Sequence, residues 1–372
     1  MDRITVEGAS IVFSARTQAE VFRSSISGRW RISRHSRLRF VYTAENSRQM
    51  QQNSPSTFQS SCLQRPPTSC LDQIKPHDEP DRSFAWRRWR IRRRFRRKLG
   101  RGLDEQTPWA IEEKDQYRKL YGNHAIYAFL ADKFAVRDYV KERVGSQYLI
   151  PLLGVYDQLT PEIFSDLPDQ FIIKATHGCK WHRVVRNKSQ LDVPATIRYF
   201  NRLTKRYYGR KSGEYHYRLI RPRIVIEELL DVDGDSPADY DFFCFHHREQ
   251  FDYSLAVVLP NAVRAAHFRH DWSIFDDCSC TPAEVERLKN PPNFAEMVDV
   301  AERLSRGFDF LRIDLYNVGG RIYFGEVTCT PAGGFVPIGD PERAERSARL
   351  WKLDRENPLL YRPRPLRGVR AA

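Results

Sequence analysis

The sequence predicts an α+β (α/β) protein in which helices and antiparallel strands are mixed along the chain. Apolar residues recur at helical spacing near the middle, including Val136, Tyr139, Val140 and Val144. Short runs rich in β-branched and aromatic residues follow, and a Gly-Gly turn separates the last two of them. Because helical and strand periods alternate in this way, we expect helices packed against antiparallel sheet.

The predicted elements follow one another from about residue 117. The helical pattern of Tyr117–Val144 ends at Gly145. Phe171–Ile173 is a short apolar run that is closed by Lys174 and followed by a loop, as expected for a strand. The remaining predictions are the strands Ile224–Leu230, Tyr240–Phe245 and Tyr253–Leu259, the amphipathic helix Ala295–Phe308, and the paired strands Leu311–Tyr316 and Arg321–Val327.

The N-terminal part has a different composition. Thr43–Asp81 is rich in Ser, Gln, Pro and Asn, and Ile4–Phe40 has no sustained period, so residues 1–83 are expected to be a disordered extension. Residues 84–102 form an Arg-rich basic segment without an evident core-forming pattern. A chain that begins near Arg97 is therefore expected to fold unimpaired. Residues 103–353 form the main folded domain, and residues 354–372 a basic tail.

The positive charge of the chain is concentrated in one place. Of the net charge of +14, the stretch RRWRIRRRFRRKLGR at Arg87–Arg101 supplies ten positive charges and no acid. Because the rest is nearly balanced, specific nucleic-acid binding is not expected. No apolar run approaches the length of a membrane span, and the seven cysteines lack C-x-x-C spacing, which favours a cytoplasmic protein with reduced thiols.

The predicted C-terminal hairpin carries the strongest chemical pattern. With a three-residue loop, Arg312 would face Glu326 and Asp314 would face Phe324. Since side chains alternate along a strand, Arg312, Asp314, Glu326 and Thr328 would share one face. Mg²⁺ prefers such oxygen ligands. An ordinary solvated face with an Arg–Glu pair is the alternative, and spacing alone leaves both interpretations open.

Other candidate residues are weaker when taken singly. Lys174 at a strand end can place a charge beside a phosphate, whereas Lys133 is by default a lysine on a helix surface. The loop from His177 to Lys180 exposes backbone N–H groups that can cover an anion. The histidines have no recognised metal-ligand spacing and are interpreted as structural.

Taken in order, six stretches resemble the TupA-like branch of the ATP-grasp family, over residues 100–353. They are ADKFAVRDYV from Ala131, LPDQFIIKATHG from Leu167, RPRIVIEELL from Arg221, DYDFFCF from Asp239, NFAEMVDVAERLS from Asn293 and RIDLYNVGGRIYFGEVT from Arg312. The resemblance implies two lobes whose antiparallel sheets hold ATP between them, preceded by a helical segment. Residues 103–353 would then be the catalytic domain.

The resemblance also implies a role for each matching residue. Lys133 and Lys174 would contact the ATP phosphates, and Arg312 would act with Lys174 on the transferred phosphoryl group. The implied nucleotide contacts are completed by His177 and Gly178 in the phosphate loop, Glu227, Glu228, Leu229 and Leu230 in the adenine hinge, and Asp239 at the ribose. The implied Mg²⁺ ligands are Asp314, Glu326 and Thr328.

The implied function is an ATP- and Mg²⁺-dependent ligase that activates a carboxylate as an acyl phosphate for amide formation, in bacterial cell-surface polysaccharide biosynthesis. Its substrates would be a small-molecule or polymer-linked carboxylate and an amine. The alternative is a nucleotide-binding protein without ligase turnover that regulates or scaffolds glycosyltransferases. Arg87–Arg101 would provide peripheral contact with glycosyltransferases or with an anionic membrane at its inner face.

Two departures from the family pattern support the alternative. The phosphate loop, HGSG in the family, here ends in Lys180, and the DYK pattern has Asp241 in place of its lysine. An acid near the phosphates would repel ATP unless it binds a metal or turns away.

Overall fold

The computed structural model describes residues 2–6, 9–13, 70–71, 74, 84–232, 234–260 and 264–362. The rest of the predicted extension, and residues 363–372 of the predicted tail, lie outside the described residues. Two compact units divide the chain, residues 1–65 and residues 66–372. In the first unit, strands β1 (Asp2–Val6) and β2 (Ala9–Phe13) pair antiparallel, in a segment for which the sequence predicted no element.

The second unit contains the helices and the remaining strands. Its helices are α1 (Phe84–Leu99), α2 (Ile111–Tyr121), α3 (His124–Ala131), α4 (Val136–Arg143), α5 (Val193–Leu203), α6 (Pro282–Arg287), α7 (Phe294–Ser305) and α8 (Pro341–Leu350). Its strands are β3 (Leu152–Tyr156), β4 (Phe171–Ala175), β5 (His182–Val185), β6 (Ile224–Glu228), β7 (Asp239–His247), β8 (Gln250–Val258), β9 (Ala265–Phe268), β10 (Phe310–Val318) and β11 (Arg321–Thr328).

The smaller of the two sheets in this unit has the order β3-β6-β4-β5, with every neighbouring pair antiparallel. Its apolar face includes Phe171, Ile173 and Ile226, which are fully buried together with Phe200 of α5. The alternation along β4 leaves Lys174 between the buried positions Ile173 and Ala175. The side chain of Lys174 therefore emerges on the face opposite to this core.

The larger sheet has the order β11-β10-β7-β8-β9 and is also antiparallel throughout. Met297, Val300 and Leu304 of α7 are fully buried in the same core cluster as Phe242 and Ile313 of this sheet. The helix therefore covers one face with its apolar stripe, as its spacing predicts. The central strands β7 and β10 consequently present their polar residues on the other face.

The hairpin of β10 and β11 differs from the prediction in its register. Val318 pairs with Arg321, so the loop has two residues, and Arg312 pairs with Thr328 rather than with Glu326. A bulge between Asp314 and Leu315 then places Asp314 opposite Glu326. The predicted register is wrong, yet the shared face survives, because one extra residue in the bulge restores the alternation that the shorter loop had shifted.

Helix α1 corrects another expectation, since the Arg-rich segment does contribute to a core. Ile91 and Phe95 are buried in one cluster with Leu103, Leu120 and Phe335. Because the positions between Ile91 and Phe95 are arginines, the composition of the segment does not indicate an apolar stripe. The interpretation that this segment lacks a core-forming pattern is therefore wrong, and the prediction that rested on it, unimpaired folding of a chain that begins near Arg97, loses its support.

We expect Phe95→Ala to lower the free energy of unfolding by about 3–5 kcal/mol, because Phe95 is 0% exposed and the substitution leaves a cavity. Trp89→Ala is the matched control on the same helix, since Trp89 is 54% exposed, and it should cost less than about 1 kcal/mol. Urea unfolding of both variants measures the difference. Equal midpoints for the two variants would contradict the assignment of α1 to the core.

Across the described residues, no helix combines the length and the apolar character that crossing a membrane requires.

Candidate active site

An acidic centre lies on the polar face of the larger sheet. Asp239 and Asp241 on β7 and Asp314 on β10 each bring a carboxylate oxygen within 4.8 Å of the other two. The strand register explains this, because Asp314 pairs with Asp241 on one side and with Glu326 on the other. Cross-strand partners share a sheet face, so β7, β10 and β11 direct the carboxylates of Asp239, Asp241, Asp314 and Glu326 to one place.

Arg312 neutralises part of this centre. Its guanidinium binds Asp314 through two hydrogen bonds of 2.7 and 2.6 Å, from Nε and Nη2. It also lies 3.4 Å from Asp241 Oδ2 and 3.4 Å from Glu326 Oε1, and donates to Thr328 Oγ1 at 3.1 Å. The predicted catalytic arginine and the three predicted metal ligands are thus in contact with one another.

The pKa values of the three aspartates are raised, whereas the pKa of Glu326 is lowered. Burial raises the pKa of Asp314 well above its usual range, and repulsion from Asp241 and Asp239 adds to this effect against the attraction of Arg312. Burial likewise raises the pKa of Asp241 and of Asp239. At Glu326 the effect of burial is outweighed by Lys133 and Arg312, which hold its pKa at about 2. The centre is therefore short of positive charge.

The donor set fits a divalent cation. Four carboxylates, those of Asp239, Asp241, Asp314 and Glu326, face two cations, Arg312 and Lys133, so two negative charges are unbalanced when all are ionised. Among the described residues, Asp239 Oδ1 and Asp241 Oδ1 are buried and have no hydrogen-bond partner. Buried carboxylate oxygens require such partners or a metal ion. A Mg²⁺ ion would supply both the charge and the missing ligand bonds.

Lys133 lies in the turn between α3 and α4, not on a helix face as its default interpretation supposed. Its Nζ is 2.8 Å from Glu326 Oε2, and its backbone N–H donates to Thr176 O at 3.2 Å, next to the end of β4. The turn thus holds Lys133 between the smaller sheet and the acidic centre of the larger one. Its contact with phosphate stays a prediction.

Lys174 belongs to a second charge cluster, on the smaller sheet. Its Nζ lies 2.9 Å from Glu227 Oε2, while Arg137 donates to Glu227 Oε1 at 2.7 Å. The charges of Lys174 and Lys133 both lower the pKa of His182, after the larger effect of burial, so the two lysines lie near the same imidazole. The charge of Lys174 also acts on Asp239, so the second cluster lies close to the acidic centre.

The phosphate loop explains one departure from the family pattern. Lys180 adopts φ = 58°, in the left-handed region that glycine enters without cost. The glycine of the HGSG pattern suits this backbone, and a lysine there costs on the order of 1 kcal/mol. A Cβ at Gly178 would lie 2.4 Å from the Trp181 ring, so that position accepts only glycine without rearrangement.

The imidazole of His177 has a hydrogen-bond partner at one of its two nitrogens. The ring is buried, with Nε2 at 3.0 Å from Leu203 O and its edge against the ring of Trp181. Its Nδ1 has no hydrogen-bond partner among the described residues, and its contact with a nucleotide stays a prediction. In the predicted hinge, Glu227 is engaged by Lys174 and Arg137, whereas Glu228 is exposed and Leu229 and Leu230 are partly exposed as the chain leaves β6.

Two features of the site were not predicted as such. Asp239 was predicted as a ribose ligand, whereas its carboxylate lies within the acidic centre; the spacing Asp239-x-Asp241 on a strand was the available signal, since it places both acids on one face. Arg137, which orients Glu227, had no distinguishing signal in the sequence. Its role depends on the packing of α4 beside β6.

The chain is similar to known proteins in its sequence and in its fold. The model of the family described as TupA-like ATPgrasp matches residues 113–344. Solved structures with a detectable likeness include D-alanine–D-alanine ligase from Helicobacter pylori, with 14% identity, a TM-score of 0.34 and coverage of 60% of this chain and 61% of that one. D-alanyl-alanine synthetase A from Vibrio cholerae has 15% identity, a TM-score of 0.37 and coverage of 60% of each chain.

A third structure, D-alanine–D-alanine ligase from Bacillus anthracis complexed with ATP, has 12% identity and a TM-score of 0.32, over 64% of this chain and 67% of that one. The chain spans about three-fifths of the length of the first two structures. No curated protein matches the sequence significantly. The family match covers well over half of the chain, and the two antiparallel sheets with their flanking helices confirm the predicted fold. The chain is a member of the TupA-like ATP-grasp family.

Proposed function

We propose that the protein is an ATP- and Mg²⁺-dependent carboxylate–amine ligase that forms ADP. The observation that carries this proposal is an acidic centre with two unbalanced negative charges, which Lys133 and Arg312 contact directly and whose Asp239 feels the charge of Lys174. Phosphoryl transfer depends mainly on positioning and on neutralising phosphate oxygens, and this set of groups provides both. No side-chain nucleophile is required.

The reaction is an acyl transfer in two steps. An oxygen of the substrate carboxylate attacks the γ-phosphorus of ATP, which gives an acyl phosphate and ADP. An amine then attacks the acyl carbon, phosphate leaves, and the nitrogen loses a proton to give the amide. Asp239, Asp241, Asp314 and Glu326 would hold Mg²⁺, which neutralises phosphate oxygens when it is bound.

The residues of the chain divide the work between binding and transfer. Lys133 and Lys174 can contact the phosphates. Ion pairs with Glu326 and Glu227 hold their ammonium groups in place before a nucleotide binds. Arg312 is held by three carboxylates, so its guanidinium is positioned before substrate binds. The carboxylate would belong to a small molecule or a cell-surface polysaccharide precursor, a choice that depends on the family context alone.

One observation favours a second candidate, nucleotide binding without turnover. Arg312 contacts Asp241, Asp314 and Glu326 together and so competes with a metal ion for the same oxygens. A protein in which the guanidinium stays in place would bind a nucleotide without transferring its phosphoryl group. Such a protein could regulate or scaffold glycosyltransferases.

A screen for ADP release tests both candidates. The full chain is incubated with ATP, Mg²⁺ and pairs of carboxylates and amines, and ADP is measured together with the affinity for ATP. Release that requires both an acid and an amine supports the ligase. Tight ATP binding without release for any pair favours the second candidate, and absence of ATP binding contradicts both.

We expect Lys174→Met to weaken ATP binding by about tenfold or more, because a charge-assisted contact to phosphate is worth about 1.5–3 kcal/mol. Lys141→Met is the matched control, since Lys141 is an exposed lysine on α4. Calorimetric titration with ATP and Mg²⁺ measures both. An unchanged affinity in Lys174→Met would remove this lysine from the phosphate site.

A further inference from the structure

A cavity between α1 and the segment 207–218 is lined by none of the candidate active-site residues. Its volume is about 420 Å³. Eight of its sixteen lining residues are Arg or Lys, five from α1 and three from the opposite segment, and none is Asp or Glu. Both walls therefore contribute positive charge to one partly open cavity.

The arginines of α1 fall into two groups with different surroundings. Arg88 and Arg92 face away from the cavity and bind Glu105 at 2.8 and 2.9 Å. On the cavity side, no carboxylate of the described part of the chain pairs with Arg90, Arg93 or Arg97. One face of the helix is thus neutralised, whereas the other leaves its charge unbalanced within a concave surface.

Aromatic rings orient three of the guanidinium groups that line the cavity. Arg90 stacks over the ring of Trp86 at 4.5 Å and Arg93 over that of Trp89 at 5.4 Å. Arg94 lies over Phe335 at 4.7 Å and donates to Lys211 O at 2.7 Å, which joins the two walls. Stacking occupies the face of a guanidinium and leaves its N–H edge free to bind an oxyanion in a bidentate manner. Little side-chain entropy is then lost on binding.

We propose that this cavity binds a compact polyanion, a soluble molecule of sugar or nucleotide size that carries at least two phosphate or carboxylate groups. Its volume falls within the range of ordinary ligand sites. A flat bilayer surface or a duplex nucleic acid fits less well, because the lining cations come from two segments around a cavity, joined by Arg94 and Lys211, rather than from one flat surface. This site does not depend on the proposed ligase activity.

The segment 207–218 connects the cavity with the candidate active site. The ring of Tyr208 packs edge-to-face against that of Trp181, with centroids 5.4 Å apart, next to the predicted phosphate loop, and Glu214 accepts a hydrogen bond of 2.7 Å from Thr330, two residues beyond Thr328. Arg210, Lys211 and Arg218 of the same segment line the cavity. An occupant of the cavity would therefore rest on the segment that supports the phosphate loop.

The test is a calorimetric titration of the full chain, without ATP, at physiological salt. The probes are tripolyphosphate and trigalacturonate, which separate phosphate from carboxylate recognition, with maltotriose as the neutral control. Arg93→Gln with Arg97→Gln changes one wall, and Arg210→Gln with Arg218→Gln changes the other. The matched control is Arg96→Gln with Lys98→Gln, which removes the same charge from α1 at exposed positions outside the cavity.

We expect one-to-one binding of at least one charged probe, and each cavity pair should weaken it by about tenfold or more. The control pair should stay within about twofold of the parent, and all variants should keep the parent's thermal midpoint. Equal weakening by the control pair would show that net charge alone attracts the probe, and would overturn the proposal. Binding to phosphatidylglycerol vesicles or to DNA but to neither compact probe would also overturn it.

Discussion

Replacing Asp314 with Asn is expected to reduce Mg²⁺-dependent ADP release by at least about 100-fold, because it removes the carboxylate at the centre of the acidic site. Asp314 lies between Asp241 and Glu326 in the strand register and holds Arg312 through two hydrogen bonds. Asparagine keeps the volume of the side chain. The loss would therefore come from charge and ligation rather than from packing.

The decisive measurement is a titration of Mg²⁺ at fixed ATP. If Asp314 is a ligand, half-saturation by Mg²⁺ moves to higher concentration in Asp314→Asn, and Glu326→Gln changes it in the same direction. Asp299→Asn is the control, since Asp299 is exposed on α7. An unchanged dependence on Mg²⁺ in both active-site variants would reject the metal assignment.

The sequence predicted this face of the hairpin because its evidence is local. With a three-residue loop, side-chain alternation puts Arg312, Asp314, Glu326 and Thr328 on one side of the hairpin. With the two-residue loop of the structure, the bulge adds one residue and gives the same face. The bulge itself follows from Gly325, where a Cβ would lie 3.0 Å from Asp314 O and 3.1 Å from the Tyr316 ring. This close approach depends on how β10 and β11 are paired, which the spacing of the residues alone does not give.

Features that depend on packing between distant segments were not predictable in the same way. Ile91 and Phe95 are apolar positions among arginines, and only the presence of Leu120 and Phe335 makes them core residues. Lys180 replaces a glycine in the pattern, but the left-handed backbone that gives the glycine its meaning is visible only in the structure. His177 is a further case, since its sequence context does not show that the imidazole is buried with Nε2 at Leu203 O.

Asp241 decides between the two proposed functions, and its surroundings are now defined. The side chain is 6% exposed, Oδ2 lies 3.4 Å from Arg312, and Oδ1 has no hydrogen-bond partner among the described residues. It does not turn away from the acidic centre. An ionised Asp241 beside a phosphate oxygen, at about 4 Å and an effective dielectric constant near 20, would cost on the order of 4 kcal/mol without a cation between them.

We therefore expect Asp241→Lys to abolish Mg²⁺-dependent ADP release, because an ammonium group would join Arg312 and Lys133 where a metal ligand is needed. Asp241→Asn, which removes the charge and keeps the shape, should weaken Mg²⁺ binding to a smaller degree. Asp299→Lys makes the same change of charge at an exposed position and should leave release unaltered. Higher release in Asp241→Lys would instead identify a weakened enzyme whose lysine had been lost, and would favour nucleotide binding without turnover for the natural chain. If ATP affinity and release both match those of the parent, Asp241 contacts neither the nucleotide nor the metal, and the acidic centre must then be assigned to Asp314 and Glu326 alone.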